Sequence, residues 1–376
     1  MIHVPIAVAA VFAAFWLVSF LYACAALWRI ATVRLPHGAS GSVLPTMSVL
    51  KPLYGLEPEL EENLATFCEQ DYPSYEVFFA VRDPADPAAE IARRVIEAHP
   101  SCTASVVTGG GAQLRNPKIA NLSAALPSTK GEIIVIADSD MRANREYLRG
   151  VAAPFADERV GAVTAIYAAR SIGSLASWLG AMYVNEQFVP SVLVATLLQP
   201  LRFAFGATMA VRRSVLTEIG GVTAIGGTIA DDYTLGRLVS AHGYRVALAG
   251  TIPQTLISET SVRDLLTREI RWARTIRSVR PAGYVGSVVT FPLVFAVFDL
   301  LFLPGVMLGA ALLIASLTAR VALDVLAHRM LRVPDQARPW LVPLRELLSL
   351  VVWAAGLFGS GALWRRRNLA VTNKGS

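Results

Sequence analysis

Two carboxylates, Asp138 and Asp140, follow directly on the apolar run Glu132-Ile-Ile-Val-Ile-Ala137. Alternate residues of an extended segment share a face, so both side chains can converge on one hard cation such as Mg2+ or Mn2+. Such ions take one or two protein carboxylates and fill their remaining positions with water and substrate phosphates, which makes a diphosphate-bearing substrate the natural partner. An Asp-x-Asp pattern alone is short, and helix capping or solvation explains it equally well. Three further residues sit where a strand should end or a helix begin: Lys51 in Lys51-Pro52, Asp83 in Arg82-Asp83-Pro84 and Lys118 in Asn116-Pro117-Lys118. An Asp at a strand tip accepts from a nucleobase or ribose, and a Lys at a helix start meets phosphate. Together they line one sheet edge.

Asp231 and Asp232 open a helix predicted over 231–242. Asp231 is expected to cap it and to favour its dipole. Asp232 is the candidate general base, since transfer to a hydroxyl needs a carboxylate that takes the proton of the nucleophile. The run Arg268-Glu-Ile-Arg271-Trp272 lies in a helix predicted over 261–280, where six arginines face Asp264 and Glu269. The forks of Arg268 and Arg271 suit a leaving diphosphate, and the Trp272 indole suits a sugar or acceptor pocket. Arg277 and Arg280 read as a basic collar against anionic lipid headgroups. Cys24, Cys68 and Cys102 sit singly in the sequence, fit a reducing compartment and carry no chemistry.

These residues need a frame. Alternating strand-like runs at 47–51, 76–82, 104–107, 132–137, 161–167 and 245–248 and helix-like runs at 57–69, 87–98, 118–125, 231–242 and 261–280 predict a doubly wound α/β layer. The run Gly109-Gly110-Gly111 lacks the G-x-G-x-x-G spacing and is a loop, not a dinucleotide site. The chain is 54% hydrophobic and only 16% charged, too apolar for an ordinary soluble enzyme. Residues 4–28 carry no charge and make about 37 Å of helix, enough to cross a bilayer. Arg29 and Arg34 follow that stretch, which argues against a signal peptide and places the next residues on the cytoplasmic side. Further apolar zones cover 284–319 and 347–364, the latter ending in Arg365-Arg366-Arg367. Three C-terminal crossings would put that cluster outside, so one segment is expected to lie in the interface or re-enter. The stretch 175–200, interrupted by Glu186, reads as a core helix or a membrane-resting one. The net charge of +6 goes with anionic lipid headgroups and not with nucleic acid. The expected organisation is an N-terminal transmembrane helix and basic flank at 1–35, a cytoplasmic catalytic domain at 36–283, transmembrane or interfacial helices at 284–364 and a basic tail at 365–376.

The series Asp83, Asp138, Asp232 and Arg268-x-x-Arg271-Trp272 resembles the D, D, D, (Q/R)-x-x-R-W pattern of the ceramide glucosyltransferases, glycosyltransferase family 21. Ser48-Val-Leu-Lys-Pro-Leu53, Val81-Arg-Asp-Pro-Ala-Asp-Pro87, Ile136-Ala-Asp-Ser-Asp140 and Phe205-Gly-Ala-Thr208 are similar to its bacterial branch, the hopanoid-biosynthesis-associated glycosyltransferases, over 47–283. The resemblance implies a GT-A type, Rossmann-like mixed-sheet domain with flanking transmembrane helices, in the inner membrane and facing the cytoplasm. It implies a UDP-sugar donor, a divalent cation and inverting hexosyl transfer to a membrane lipid hydroxyl: N-acetylglucosamine to a bacteriohopanepolyol in the bacterial branch, glucose to ceramide in the other. By position, Lys51, Asp83, Lys118 and Asp138 would serve the nucleotide sugar, with Asp83 on the uridine. Asp138 and Asp140 would hold the metal diphosphate, with Asp140 as direct ligand, and Asp232 would be the base. Arg268, Arg271 and Trp272 would grip the diphosphate and the acceptor end. The family generally has Glu before the base, where this chain has Asp231. Processive polysaccharide synthases share the Asp series but need more spans for a channel; polyprenyl-phosphate glycosyltransferases differ in carrying phosphate on the acceptor.

Overall fold

The computed structural model describes residues 6–36, 44–109, 112–303, 305–334, 337–359, 361–364 and 367–370. Gly110, Gly111, Arg365, Arg366 and the tail from 371 lie outside the described residues. The chain divides into two compact units: Arg34–Ala168 with Gln199–Leu256, and Met1–Val33 with Ala169–Leu198 and Ile257–Ser376.

Ten strands occur before residue 258: β1 (Met47–Leu53), β2 (Tyr75–Val81), β3 (Ala104–Thr108), β4 (Ile133–Ala137), β5 (Met141–Arg142), β6 (Val160–Thr164), β7 (Ala168–Ser171), β8 (Thr208–Arg212), β9 (Arg245–Leu248) and β10 (Gln254–Ile257). Seven form the main sheet of the first unit, in the order β3-β2-β1-β4-β8-β6-β9. The first four are parallel, β8 runs antiparallel to both β4 and β6, and β9 is parallel to β6. The sheet is therefore mixed. Along β4, Ile133, Val135 and Ala137 join one core with Val49 and Phe79, whereas Ile134 and Ile136 join the opposite core with Leu50 and Met209. Both faces are covered, which is why the run is unbroken in its hydrophobicity.

The six strands expected from the sequence are all in this sheet, and the expected layer lacks β8. Its five residues, Thr-Met-Ala-Val-Arg, pass at once into the helix Arg213–Glu218 and carry too little alternation to stand out. They pair with β4 and β6 and bury Met209 and Val211 in one core and Ala210 in the other. Cys68 ends the helix Leu60–Cys68 and Cys102 precedes β3, both as free thiols.

Three helices of the second unit are long and apolar enough to cross a membrane: Ala7–Thr32, Leu175–Leu198 and Val306–Leu331. A fourth apolar segment is broken, with Pro281–Thr290 and Pro292–Phe302 bent by 61° at Phe291, where Pro292 removes a backbone donor. The apolar zone at 347–364 is not one helix. Its helix, Val342–Gly356, stops at Gly356, and Gly361–Trp364 pairs antiparallel with Arg367–Ala370. Two buried ion pairs lie inside this unit: Arg345 makes two bonds of 2.9 and 2.8 Å to Glu269, and Arg320 lies 3.0 Å from Glu346, all fully or almost fully buried. Glu269 belongs to the helix Val262–Val279, whose start is capped by Ser261.

Candidate active site

Because β8 is antiparallel to β4, its beginning lies beside the end of β4, with Ala137 opposite Thr208. That pairing puts Asp138 next to the loop Phe205-Gly206-Ala207. The loop is pinned from below: the Thr164 hydroxyl accepts from Phe205 N at 2.8 Å and donates to the Thr208 carbonyl at 2.8 Å. Helix Asp231–Ala241 packs so close to the same loop that a Cβ on Gly236 would lie 2.2 Å from Phe203 Cα, so only glycine allows the approach. The approach brings Asp232 in. Its carboxylate accepts from Gly206 N at 3.0 Å and from Tyr233 N at 2.7 Å. The space around Gly206 is the meeting point, since a Cβ there would stand 3.6 Å from Asp138 Oδ2, 3.6 Å from Asp232 Oδ2 and 3.9 Å from Lys118 Nζ.

Lys118 ties the group together. Its ammonium lies 2.7 Å from Asp138 Oδ1 and 3.4 Å from Asp231 Oδ2, and donates to the Gly206 carbonyl at 3.3 Å. It is aimed by Asn116, whose side chain caps the helix Pro117–Ala125 by accepting from Lys118 N and Ile119 N. The same Asn116 donates to Asp231 Oδ1 at 3.0 Å and to the Thr228 carbonyl at 3.1 Å. Asp231 therefore does not act as the expected cap; the cap position is Ala230, and the Asp231 carboxylate is spent on Asn116 and Lys118. Burial pulls the Lys118 pKa down, but the charges of Asp138 and Asp231 outweigh it and hold the lysine above its ordinary value. Burial, and then the charge of Asp231, push Asp232 up to about 7.

Asp140 sits two residues further along, accepting from the Thr255 hydroxyl at 3.0 Å. Burial and the charges of Asp138 and Glu57 raise it to about 6. Glu57 in turn accepts from the Ser139 hydroxyl at 2.5 Å. This surplus of carboxylate charge, all oxygen donors, fits a hard divalent cation. Among the described residues no three His, Cys, Asp or Glu side chains form a ready cage, so water and substrate oxygens would complete any shell. Lys51 is a correction. Strand β1 runs on to Leu53, and the Lys51 side chain is fully buried, with Nζ donating to the carbonyls of Asp138 at 2.8 Å and Met141 at 3.4 Å above the Phe67 ring. Burial, offset in part by Asp140 and Asp138, lowers it to about 7. It braces the Asp138 turn from beneath and has no surface left for a nucleotide.

A family model for glycosyl transferase family 21 matches residues 11–376. The chain belongs to that family. Ceramide glucosyltransferase 3 of Caenorhabditis elegans is 26% identical over 243 residues, covering 64% of this chain and 53% of that protein. A ceramide glucosyltransferase of Gibberella zeae is 32% identical over 111 residues, 27% of this chain and 21% of that protein. The chain thus spans about half the length of the nematode relatives it matches. A mannosyltransferase from Pyrobaculum calidifontis, solved with GDP-Man and Mn2+, superposes with a TM-score of 0.54 at 22% identity, over 93% of this chain and 96% of that one. The fold is the mixed α/β GT-A type.

Asp83 is exposed in the loop after β2, its Oδ1 accepting from Ala85 N at 2.9 Å, and is not part of the Gly206 group. Arg268 and Trp272 belong to the helical unit. Arg268 pairs with Glu259 at 2.7 Å and lies over the Trp272 ring at 5.0 Å, and Trp272 stacks on Tyr183 at 5.9 Å. Arg271, half-buried, is one turn before Thr275, whose hydroxyl donates to its carbonyl. Gly206, Asn116, Glu57 and Thr255 had no role assigned from the sequence. Gly206 had a signal, a glycine inside Phe205-Gly-Ala-Thr208; Glu57 and Thr255 had none, being far from the carboxylates in the chain.

Proposed function

We propose that this chain is a membrane-bound, metal-dependent, inverting glycosyltransferase moving one sugar from a UDP-sugar to a lipid hydroxyl. The observation that carries the reading is Asp232, a carboxylate raised to about 7 and held by Gly206 N beside Asp138 and Lys118. A base with that pKa is half ionised near neutral pH and matched to taking a proton from an alcohol. Lys118 engages Asp138 and Asp231, which leaves Asp232 as the one base, and a single base corresponds to direct displacement with inversion.

Asp138 and Asp140 would hold Mg2+ or Mn2+, which when bound neutralises charge on the leaving diphosphate. Lys118 keeps Asp138 and Asp231 in fixed positions, and the Gly206 and Tyr233 amides orient Asp232. Asp83 is assigned to the uridine, and Arg268, Arg271 and Trp272 to the diphosphate and acceptor end. The donor and acceptor follow the sequence resemblance, UDP-N-acetylglucosamine and a bacteriohopanepolyol. UDP-glucose and ceramide form the second reading, which similarity to ceramide glucosyltransferases supports. The three apolar helices support a multi-pass protein of the inner membrane with the α/β unit in the cytoplasm, where nucleotide sugars are held.

The test is Asp232→Asn in membranes, with lipid products followed by mass spectrometry. UDP-sugar binding should persist while transfer is lost, and chelation should abolish wild-type transfer until Mn2+ or Mg2+ is restored. Full turnover by the variant would refute the base assignment, and a ladder of long polymer would refute single transfer to a lipid.

A further inference from the structure

The α/β unit carries a cleft of 520 Å3 that the proposed transfer does not use. Its walls include Leu201 and Arg202, Arg237 and Ser240 from the helix Asp231–Ala241, and Tyr244 with Arg245 at the start of β9. Three arginines and no carboxylate line it. Arg245 is already engaged, pairing at 2.8 Å with Asp157, which also holds Arg159. The Tyr244 hydroxyl donates to Glu218. Arg202 and Arg237, both exposed, have no ion-pair or hydrogen-bond partner among the described residues. Two unpaired guanidinium forks beside a serine hydroxyl and an apolar wall match a phosphate group attached to something apolar. The source of that phosphate is indicated by the chain itself. Arg202 comes four residues after Leu198, the last residue of the apolar helix Leu175–Leu198, and Leu198 is 82% exposed.

We propose that this cleft binds the phosphodiester headgroup of an anionic membrane phospholipid, with Arg202 and Arg237 as its two ligands. The inference does not depend on which sugar or acceptor the chain uses. Calorimetric titration of the detergent-solubilised full chain with dihexanoyl phosphatidylglycerol tests it. The Arg202→Ala/Arg237→Ala variant is compared with Arg93→Ala/Arg94→Ala, which removes the same charge from the helix Pro87–Ala98, where both arginines are already paired with Glu90 and Glu61. Any contribution from the arginines of the helix Val262–Val279 is common to all three proteins. The cleft variant should bind roughly tenfold to thirtyfold more weakly and the control within about twofold of wild type. Unchanged binding in the cleft variant, or equal losses in both variants, overturns the proposal. Inorganic phosphate binding the wild type as tightly as the lipid overturns the lipid assignment. Because neither arginine supports another group, thermal unfolding of the cleft variant should match wild type, which separates lost binding from lost folding.

Discussion

Lys118→Met replaces a cation by an apolar chain of similar length in the middle of three carboxylates. At an effective dielectric near 20, charges 2.7 and 3.4 Å apart interact by about 6 and about 5 kcal/mol before desolvation is counted. Desolvation cancels much of this, and solvent screens the half-exposed Asp138, so the loss is carried mainly by buried Asp231 and comes to about 3 kcal/mol. Lys118 is held above the ordinary lysine pKa, so it is charged at any working pH and the wild-type tie persists between pH 5 and 8. In the variant, the charge of Asp232, a group already raised to about 7 with Lys118 in place, stands unbalanced beside Asp138 and Asp231 at pH 8 and is relieved as Asp232 takes up its proton in acid. Thermal unfolding of the detergent-solubilised protein should show a midpoint lower by roughly 10 °C at pH 8, and by less than half of that at pH 5. An equal decrement at both pH values would mean that Lys118 contributes packing and not charge, and no decrement at pH 8 would refute the bridging role.

Gly206→Ala puts a methyl 3.6 Å from both Asp138 and Asp232, an ordinary contact distance, so unfolding should shift by no more than about 1 kcal/mol while transfer falls at least roughly tenfold. Unaltered transfer by that variant would show that the reacting groups do not meet there. Glu269→Gln leaves Arg345 buried without its anion and should destabilise by about 3–5 kcal/mol, whereas Glu269→Met with Arg345→Met should be much nearer wild type in denaturant unfolding. With Asp232 at about 7, kcat/KM should fall about tenfold per pH unit below that value, and a flat profile from pH 5.5 to 8 would contradict the base role. The sign for stability is opposite: the folded state holds this proton more tightly than the unfolded one, so Asp232 lowers stability progressively as pH rises from about 4 to about 7.

Local patterns made much of the frame legible. The buried run at β4, the Asn116-Pro117 start of a helix and the long helix rich in arginine all lie within a few residues of where their sequences place them. The carboxylates Asp138, Asp140 and Asp232 stand out by type and by position at element ends. Lys51 did not follow its local pattern, because a strand that continues two residues further carries its side chain under the turn and not out of the sheet. Asp231 did not either. Its position at a helix start suggests capping, but Asn116, 115 residues earlier in the chain, takes its carboxylate.

The amino-acid sequence by itself determined six of the seven strands of the main sheet, the apolar helices and the carboxylates able to do chemistry, because these depend on hydrophobic period and residue type over short spans. The tertiary structure decided the pairing: that β8 enters antiparallel beside β4, that Gly206 leaves room between Asp138 and Asp232, and that one lysine serves two carboxylates. Charge and hydrogen-bond energies are set by distances of a few ångströms in space and by burial, and neither is a function of separation along the chain.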